Sequence, residues 1–332
     1  MTNREQFLLD RKSGIGGSDA AAVVGLSPYA TPVELYLDKT GQLQDNTTPQ
    51  QEAIFERGHV LEPLLKMLFQ ANYGFKVIEA AQATHNEYSY IVGHVDGLVP
   101  EDKAIVEFKT NSSFSNNVWG DELTDNIPKH YLMQVHHYLL IHDTCEKVYV
   151  PVLSGTNDML KLLTSLVKKF GADINLFSDV ELSLKLYIVH RDGLHDKLSK
   201  LMYEKYDVFW NEHVIPRIPP KWSTCEDIKL LFPEAKNSEV VADEESMKAI
   251  ENIKQKKAAI EALEADIEKD KAVVCDRLKD ASKLVNSEGK SLVGWFNTSR
   301  KSFDVEALKK EYGEAMVGQF YKTTNSRAFK VY

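Results

Sequence analysis

Four short segments in the first half of the chain constrain it most: Glu62, Asp96, Glu107-Phe108-Lys109, and Gln134 four residues before Tyr138. Glu62 lies in a stretch whose leucines recur at helical spacing, and alone it reads as a solvated glutamate paired with Lys66 one turn on. Glu107 and Lys109 lie in the β-branched run 104–110, where alternate residues share a face, so both point the same way. The polar turn Glu101-Asp102-Lys103 joins this run to the one that closes at Asp96, and a hairpin there sets Asp96 beside Glu107. Gln134 and Tyr138 are neighbours on one helix face. Charges gathered on one sheet face are costly without a purpose. Phosphodiester hydrolysis supplies one, because it needs oxygen ligands for a hydrated divalent cation and a cationic group beside the attacking water.

The remaining pattern predicts an α/β (α+β) chain, a central mixed sheet flanked by helices. Helices are expected over 52–73, 128–143, 160–170 and 194–214, and strands over 75–80, 88–94, 104–110, 147–153 and 182–190. The proline-rich stretch 215–221 ends this core, giving a domain over 1–220 and a polar linker over 221–244. A charged run over 245–285 follows, with Ile253, Ile260, Ile267 and Val274 at seven-residue steps. The companion positions Lys257, Glu264 and Lys271 are polar, which favours a packed helix or helical hairpin over a long coiled coil. The last segment, 286–332, interleaves aromatic and basic residues, among them Trp295, Arg300, Phe303, Lys322, Arg327, Lys330 and Tyr332. It reads either as a nucleic-acid contact or as a small half-buried β element.

The net charge of −9 mildly disfavours a nucleic-acid partner, but residues 286–332 carry eight Lys+Arg against five Asp+Glu, leaving −12 on the rest. Arg11 precedes Gly14-Ile15-Gly16-Gly17-Ser18-Asp19 and a small-residue run. Glycines allow close backbone approach, and free N–H groups at a helix start attract anions. The bland alternative is a glycine-rich turn before a packing helix. Cys145, Cys225 and Cys275 form neither a metal pattern nor a disulfide framework. The start is polar and no apolar run approaches a membrane span, so a cytoplasmic setting is expected.

Taken in order, these segments resemble the PD-(D/E)xK nuclease superfamily, and within it the YqaJ-like viral recombinases, relatives of the lambda-type alkaline exonuclease. Arg11 with the glycine-rich run, Gly25-Leu26-Ser27-Pro28-Tyr29-Ala30-Thr31-Pro32, and Lys39-Thr40-Gly41 are close to the family's N-terminal signature. Arg57-Gly58-His59-Val60-Leu61-Glu62-Pro63, Gly93-His94-Val95-Asp96-Gly97 and Glu107-Phe108-Lys109-Thr110 match its acidic helix and two strands. Val95 stands where the superfamily's name has proline.

The resemblance implies a restriction-endonuclease-like core. It implies Mg2+, with Mn2+ as substitute, held by Glu62, Asp96, Glu107 and the Phe108 carbonyl. Lys109 is the implied catalytic lysine, with Gln134 and Tyr138 beside the scissile phosphate, and Arg11 and Ser18 are implied to grip a 5′-terminal phosphate. His94 reads as structural. The implied activity is 5′ to 3′ digestion of linear double-stranded DNA in phage-type recombination, in host cytoplasm. The implied partners are a single-strand annealing protein and further copies of the chain in a ring. An endonuclease of the same fold and a non-catalytic DNA-binding protein are the alternatives.

Overall fold

The structure, a computed structural model, describes residues 12–43, 47–112, 119–173, 177, 182–236, 238–321 and 329–331. Two compact units divide at Leu231/Phe232.

In the first unit, a 3-10 turn Gly17–Asp19 leads into α1 (Ala20–Val23), followed by α2 (Pro32–Lys39) and α3 (Pro49–Tyr73). Both longer helices start at a Thr-Pro pair. Thr31 and Thr48 each accept the N–H three residues on, while Glu34 and Gln51 reach back to the cap, and proline occupies the first helical position. That second cap starts α3 three residues before the expected Glu52.

The main sheet contains β3 (Gly97–Val99), β4 (Ala104–Val106), β5 (Lys109–Ser112), β6 (Lys147–Gly155) and β7 (Ser183–His190). A smaller pair joins β1 (Ala83–Thr84) to β2 (Val92–Gly93). The expected strand 75–80 is reduced to a single bridge between Ile78 and Leu98. Phe75 instead stacks on Phe69 and Tyr149, so that segment caps the core rather than pairing along its length.

The sheet is mixed, as its sequence predicts. β3 pairs antiparallel with β4, β4 and β5 pair parallel with β6, and β7 closes the other side of β6 antiparallel. β4 and β5 hold one register along β6, Val106 facing Tyr149 and Lys109 facing Val152, with only Glu107 and Phe108 between them. The two strands are thus one extended segment with a local break.

Period-two alternation then sorts the side chains. Ile105, Val148, Val150 and Val152 pack towards α4 (Lys129–Ile141), together with Val135, Tyr138 and Leu139. Val106, Phe108, Tyr149 and Leu153 pack on the opposite face against α3 and α5 (Asn157–Phe170). α6 (Gly193–Asp207) continues as a π-helical turn, Val208–Val214, and α7 (Cys225–Leu231) ends the unit. Met202, Tyr206 and Phe209 of this arm pack on α1 and α2.

The second unit contains α8 (Glu244–Leu278), an unbroken helix of 35 residues, about 50 Å long. Ile260 and Ile267 on it are exposed. β8 (Lys283–Val285) and β9 (Ser291–Gly294) form a hairpin. Beyond the hairpin the chain turns helical, as α9 (Val305–Tyr312), capped by Asp304, and α10 (Glu314–Gly318). Lys322, Arg327 and Tyr332 lie outside the described residues. Among the described residues, no helix is long and apolar enough to cross a membrane.

The N-terminal helices close over a buried ion pair. The Lys39 ammonium lies 2.5 Å from Asp19 Oδ2, the two side chains 0% and 2% exposed. The same Asp19 oxygen accepts the Gly16 N–H at 2.9 Å. Removing one member leaves an uncompensated charge in the core, a cost of about 3–5 kcal/mol. Lys39→Met is therefore expected to lower urea-unfolding stability by about that amount. Asp19→Asn combined with Lys39→Met should recover a substantial part of the loss, and strictly additive losses would contradict the pairing.

Candidate active site

The site forms where the sheet's central segment breaks. Because Gly97 faces Val106, the β3–β4 hairpin sets Asp96 across from Glu107. Glu107 keeps its backbone in the sheet, donating its N–H to the Tyr149 carbonyl at 2.9 Å. The next donor is diverted, since the Phe108 N–H bonds to Asp96 Oδ2 at 2.7 Å. The Phe108 ring turns into the core against Phe69.

On the α4 face, the Glu107 carboxylate is 3% exposed. Its Oε1 accepts from Lys109 Nζ at 2.6 Å and from Gln134 Nε2 at 2.7 Å. Gln134 Nε2 also reaches the Tyr138 hydroxyl at 2.9 Å. Glu107 Oε2 is buried with no hydrogen-bond partner.

Tyr131, one turn before Gln134, places its ring 4.8 Å from the Lys109 ammonium. Its spacing from Gln134 and Tyr138 put it on that face in the sequence, but a lone tyrosine there carried no sign of a role. Tyr138 is also held by the glycine-rich segment. A Cβ on Gly17 would lie 2.4 Å from Tyr138 Cε1, and one on Gly93 would lie 2.8 Å from Ile141 Cδ1 and 3.3 Å from Tyr138 Cδ1.

Burial dominates the electrostatics of the site, and the crowding of acids adds to it at Glu107 and Glu62. Burial, then the charge of Asp96, push Glu107 up to about 8 against the pull of Lys109. Burial and Asp96 likewise raise Glu62, half-buried on α3, to about 7. Burial raises Asp96 as well, opposed by Lys109 and the Phe108 N–H. For Lys109, burial disfavours the ammonium, but Glu107 and Asp96 outweigh it, so the lysine holds its proton more firmly than usual.

Asp96, Glu107, Lys109, Gln134 and Tyr138 therefore form one cluster, and Glu62 is within electrostatic reach of it. The cluster is not a finished cage: among the described residues, no three His, Cys, Asp or Glu side chains stand together as a metal site. The donor set nonetheless suits a hard cation. It is all oxygen, it gathers three carboxyl groups around the one ammonium of Lys109, and it holds a buried carboxylate oxygen that nothing satisfies.

The phosphate grip expected of Arg11 and Ser18 has a different standing. Arg11 lies outside the described residues, and Ser18 is exposed on the turn before α1. In the glycine-rich turn, the Gly16 N–H is taken by the protein's own Asp19.

The YqaJ-like viral recombinase domain matches residues 6–145 of the chain. The uncharacterized protein YqaJ of Bacillus subtilis (strain 168) is 32% identical over 245 residues, covering 72% of this chain and 66% of that protein, just under two thirds of its length. Among solved structures, an alkaline exonuclease from Laribacter hongkongensis is similar at a TM-score of 0.42 and 17% identity, over 63% of this chain and 91% of that one. A phage-related exonuclease from Haemophilus somnus 129PT is similar at 0.42 and 14%, over 62% and 97%.

The Glu107 shift fixes the sign of a pH effect on the metal-free protein. Its ordinary value is 4.5 and its folded value about 8. Below the lower value the acid is protonated in both states. Between the two, the unfolded chain ionises while the folded site keeps its proton, so stability declines as pH rises through the folded value. The melting temperature measured in a chelator should fall from about pH 5 to about pH 8.5, and Glu107→Gln should flatten that fall. Identical slopes for the two proteins would contradict the assignment.

Proposed function

Through residues 6–145 the chain belongs to the YqaJ-like viral recombinase family, and we propose that it is a divalent-metal-dependent deoxyribonuclease that digests linear double-stranded DNA from its ends. The observation that carries this reading is the unsatisfied Glu107 oxygen in a cluster of three mutually repelling acids and one lysine. An arrangement that disfavours its own charge is explained by a ligand that brings the opposite charge.

Asp96 and Glu107 are the groups that would hold Mg2+ or Mn2+, with Glu62 and the Phe108 carbonyl as further oxygens. Such a cation, when bound, acidifies an attacking water and offsets charge on the phosphate. The protein's own groups do the rest. Lys109 lies beside Glu107 with its proton firmly held. Its part is to orient the water by hydrogen bonding and to neutralise the charge that grows on the pentacoordinate phosphorus. Gln134 fixes the Glu107 carboxylate from α4 and is itself braced by Tyr138. Tyr131 walls the lysine with an aromatic face. The apolar packing of Phe108 and Tyr138 on either side restricts water at the carboxylates.

The family's association with recombination supports a substrate with free duplex ends, 5′ to 3′ polarity, a 5′-phosphate grip by Arg11 and Ser18, and a single-strand annealing protein as partner. Ring assembly of the chain in a phage-infected host cytoplasm belongs to the same proposal.

Linear duplex incubated with Mg2+ should be degraded, and a covalently closed circle of the same sequence should survive. Glu107→Ala and Lys109→Ala should each lower the rate by at least about a hundredfold. Digestion of the circle would make the enzyme an endonuclease. Loss of neither activity in Glu107→Ala, or no cleavage with any divalent ion, would leave a DNA-binding protein at most.

A further inference from the structure

α3 carries a second charged residue whose surroundings call for a ligand. Arg57 lies five residues before Glu62 on the same helix, about 7.5 Å along the axis. It is half-buried, and burial alone shifts its guanidinium, downward from the ordinary value. Its Nε is buried without a hydrogen-bond partner. Among the described residues its one hydrogen bond is long, from a terminal nitrogen to Asn157 Oδ1 at 3.5 Å. Three buried or half-buried lysines of this unit are matched by carboxylates: Lys39 by Asp19, Lys109 by Glu107, Lys147 by Asp102. Arg191 is matched by the carbonyls of Leu139, His142 and Cys145. Among the described residues no carboxylate pairs with Arg57, and a desolvated cation without an anion is costly.

Its place relative to the acids is set by the sheet. Asn157 follows β6, whose Gly155 faces Ser112 of β5. Ser112 is three residues beyond Lys109, about 10 Å along the strand. That is about three rises of a duplex strand at 3.4 Å each. Gly58, next to Arg57, is a costly residue inside a helix, and a Cβ built there meets nothing within 4 Å. The surface beside the guanidinium is thus low and open. A guanidinium edge with free donors fits the paired oxygens of a phosphodiester.

We propose that Arg57, with Asn157 beside it, binds a backbone phosphate of the DNA strand a few nucleotides from the bond that is cut. The inference rests on the nuclease reading above and extends it to a named contact that sets strand register rather than chemistry.

The test is fluorescence anisotropy of labelled linear duplex, in a chelator so that nothing is cut, over a series of salt concentrations. Wild type is compared with Arg57→Ala, Arg57→Gln and Arg57→Lys, and each variant is first checked by thermal melting. Ala and Gln should weaken binding about tenfold and reduce the slope of log affinity against log salt by about 0.9, the signature of one lost phosphate contact. Lys should keep the wild-type slope and recover part of the affinity, because it retains the charge without the fork. If alanine does not fold, the Gln and Lys pair decides the question. Wild-type affinity and slope in Arg57→Gln would overturn the phosphate assignment while leaving the nuclease reading intact. No binding by wild type at low salt would overturn the phosphate assignment as well, and the nuclease reading is then decided by digestion of linear against circular duplex with Mg2+.

Discussion

The carboxylate of Glu107 is held almost out of water, with one oxygen clamped by Lys109 and Gln134 and the other left without a donor. Each neighbouring feature follows from that placement. The lysine stays protonated because the acid is beside it. The glutamine needs a brace, which Tyr138 provides. Burial raises Asp96 as well, and Glu62 is raised by burial and by the charge of Asp96. Burial that destabilises a metal-free site in this way is also what makes its electrostatics strong, since a low dielectric magnifies every charge within it.

Backbone geometry makes this burial possible. A continuous strand would spend the Phe108 N–H on its ladder, but here the chain breaks for two residues and that donor goes to Asp96. The register along β6 survives the break, so the sheet carries the distortion without losing its pairing. On the other side, Gly17 and Gly93 let Tyr138 lie flat against the N-terminal turn and β2. The glycine-rich segment therefore has a packing duty at the site, whatever else it does.

Much of this was legible in the residues. Alternation placed Glu107 and Lys109 on one face, hairpin logic placed Asp96 opposite, and helical spacing joined Gln134 to Tyr138, because each depends on local periodicity alone. What could not be read depends on distant packing. Nothing in the local pattern marked Asp19 as the anion of a buried pair with Lys39, twenty residues away. Residues 75–80 looked like a strand, but Phe75 is drawn into the aromatic stack instead. Arg57 stood out only as part of the stretch that resembles the acidic helix, since an unmatched guanidinium is defined by neighbours that are missing. Residues 286–332 read either as a nucleic-acid contact or as a small β element; β9 lies there, but past it Asp304 caps a helix.

The division of labour between oxygens has a consequence for ion choice. Asp96 commits Oδ2 to the Phe108 amide, and Glu107 commits Oε1 to two side-chain donors. Each acid keeps one oxygen that accepts no hydrogen bond among the described residues, and one-point contact with an ion through it leaves both networks intact. Calcium takes six to eight oxygens in flexible geometry and can hold a carboxylate by both of its atoms. Two single-point ligands instead suit a small octahedral ion that retains most of its hydration sphere, which is also the sphere from which a nucleophilic water must come.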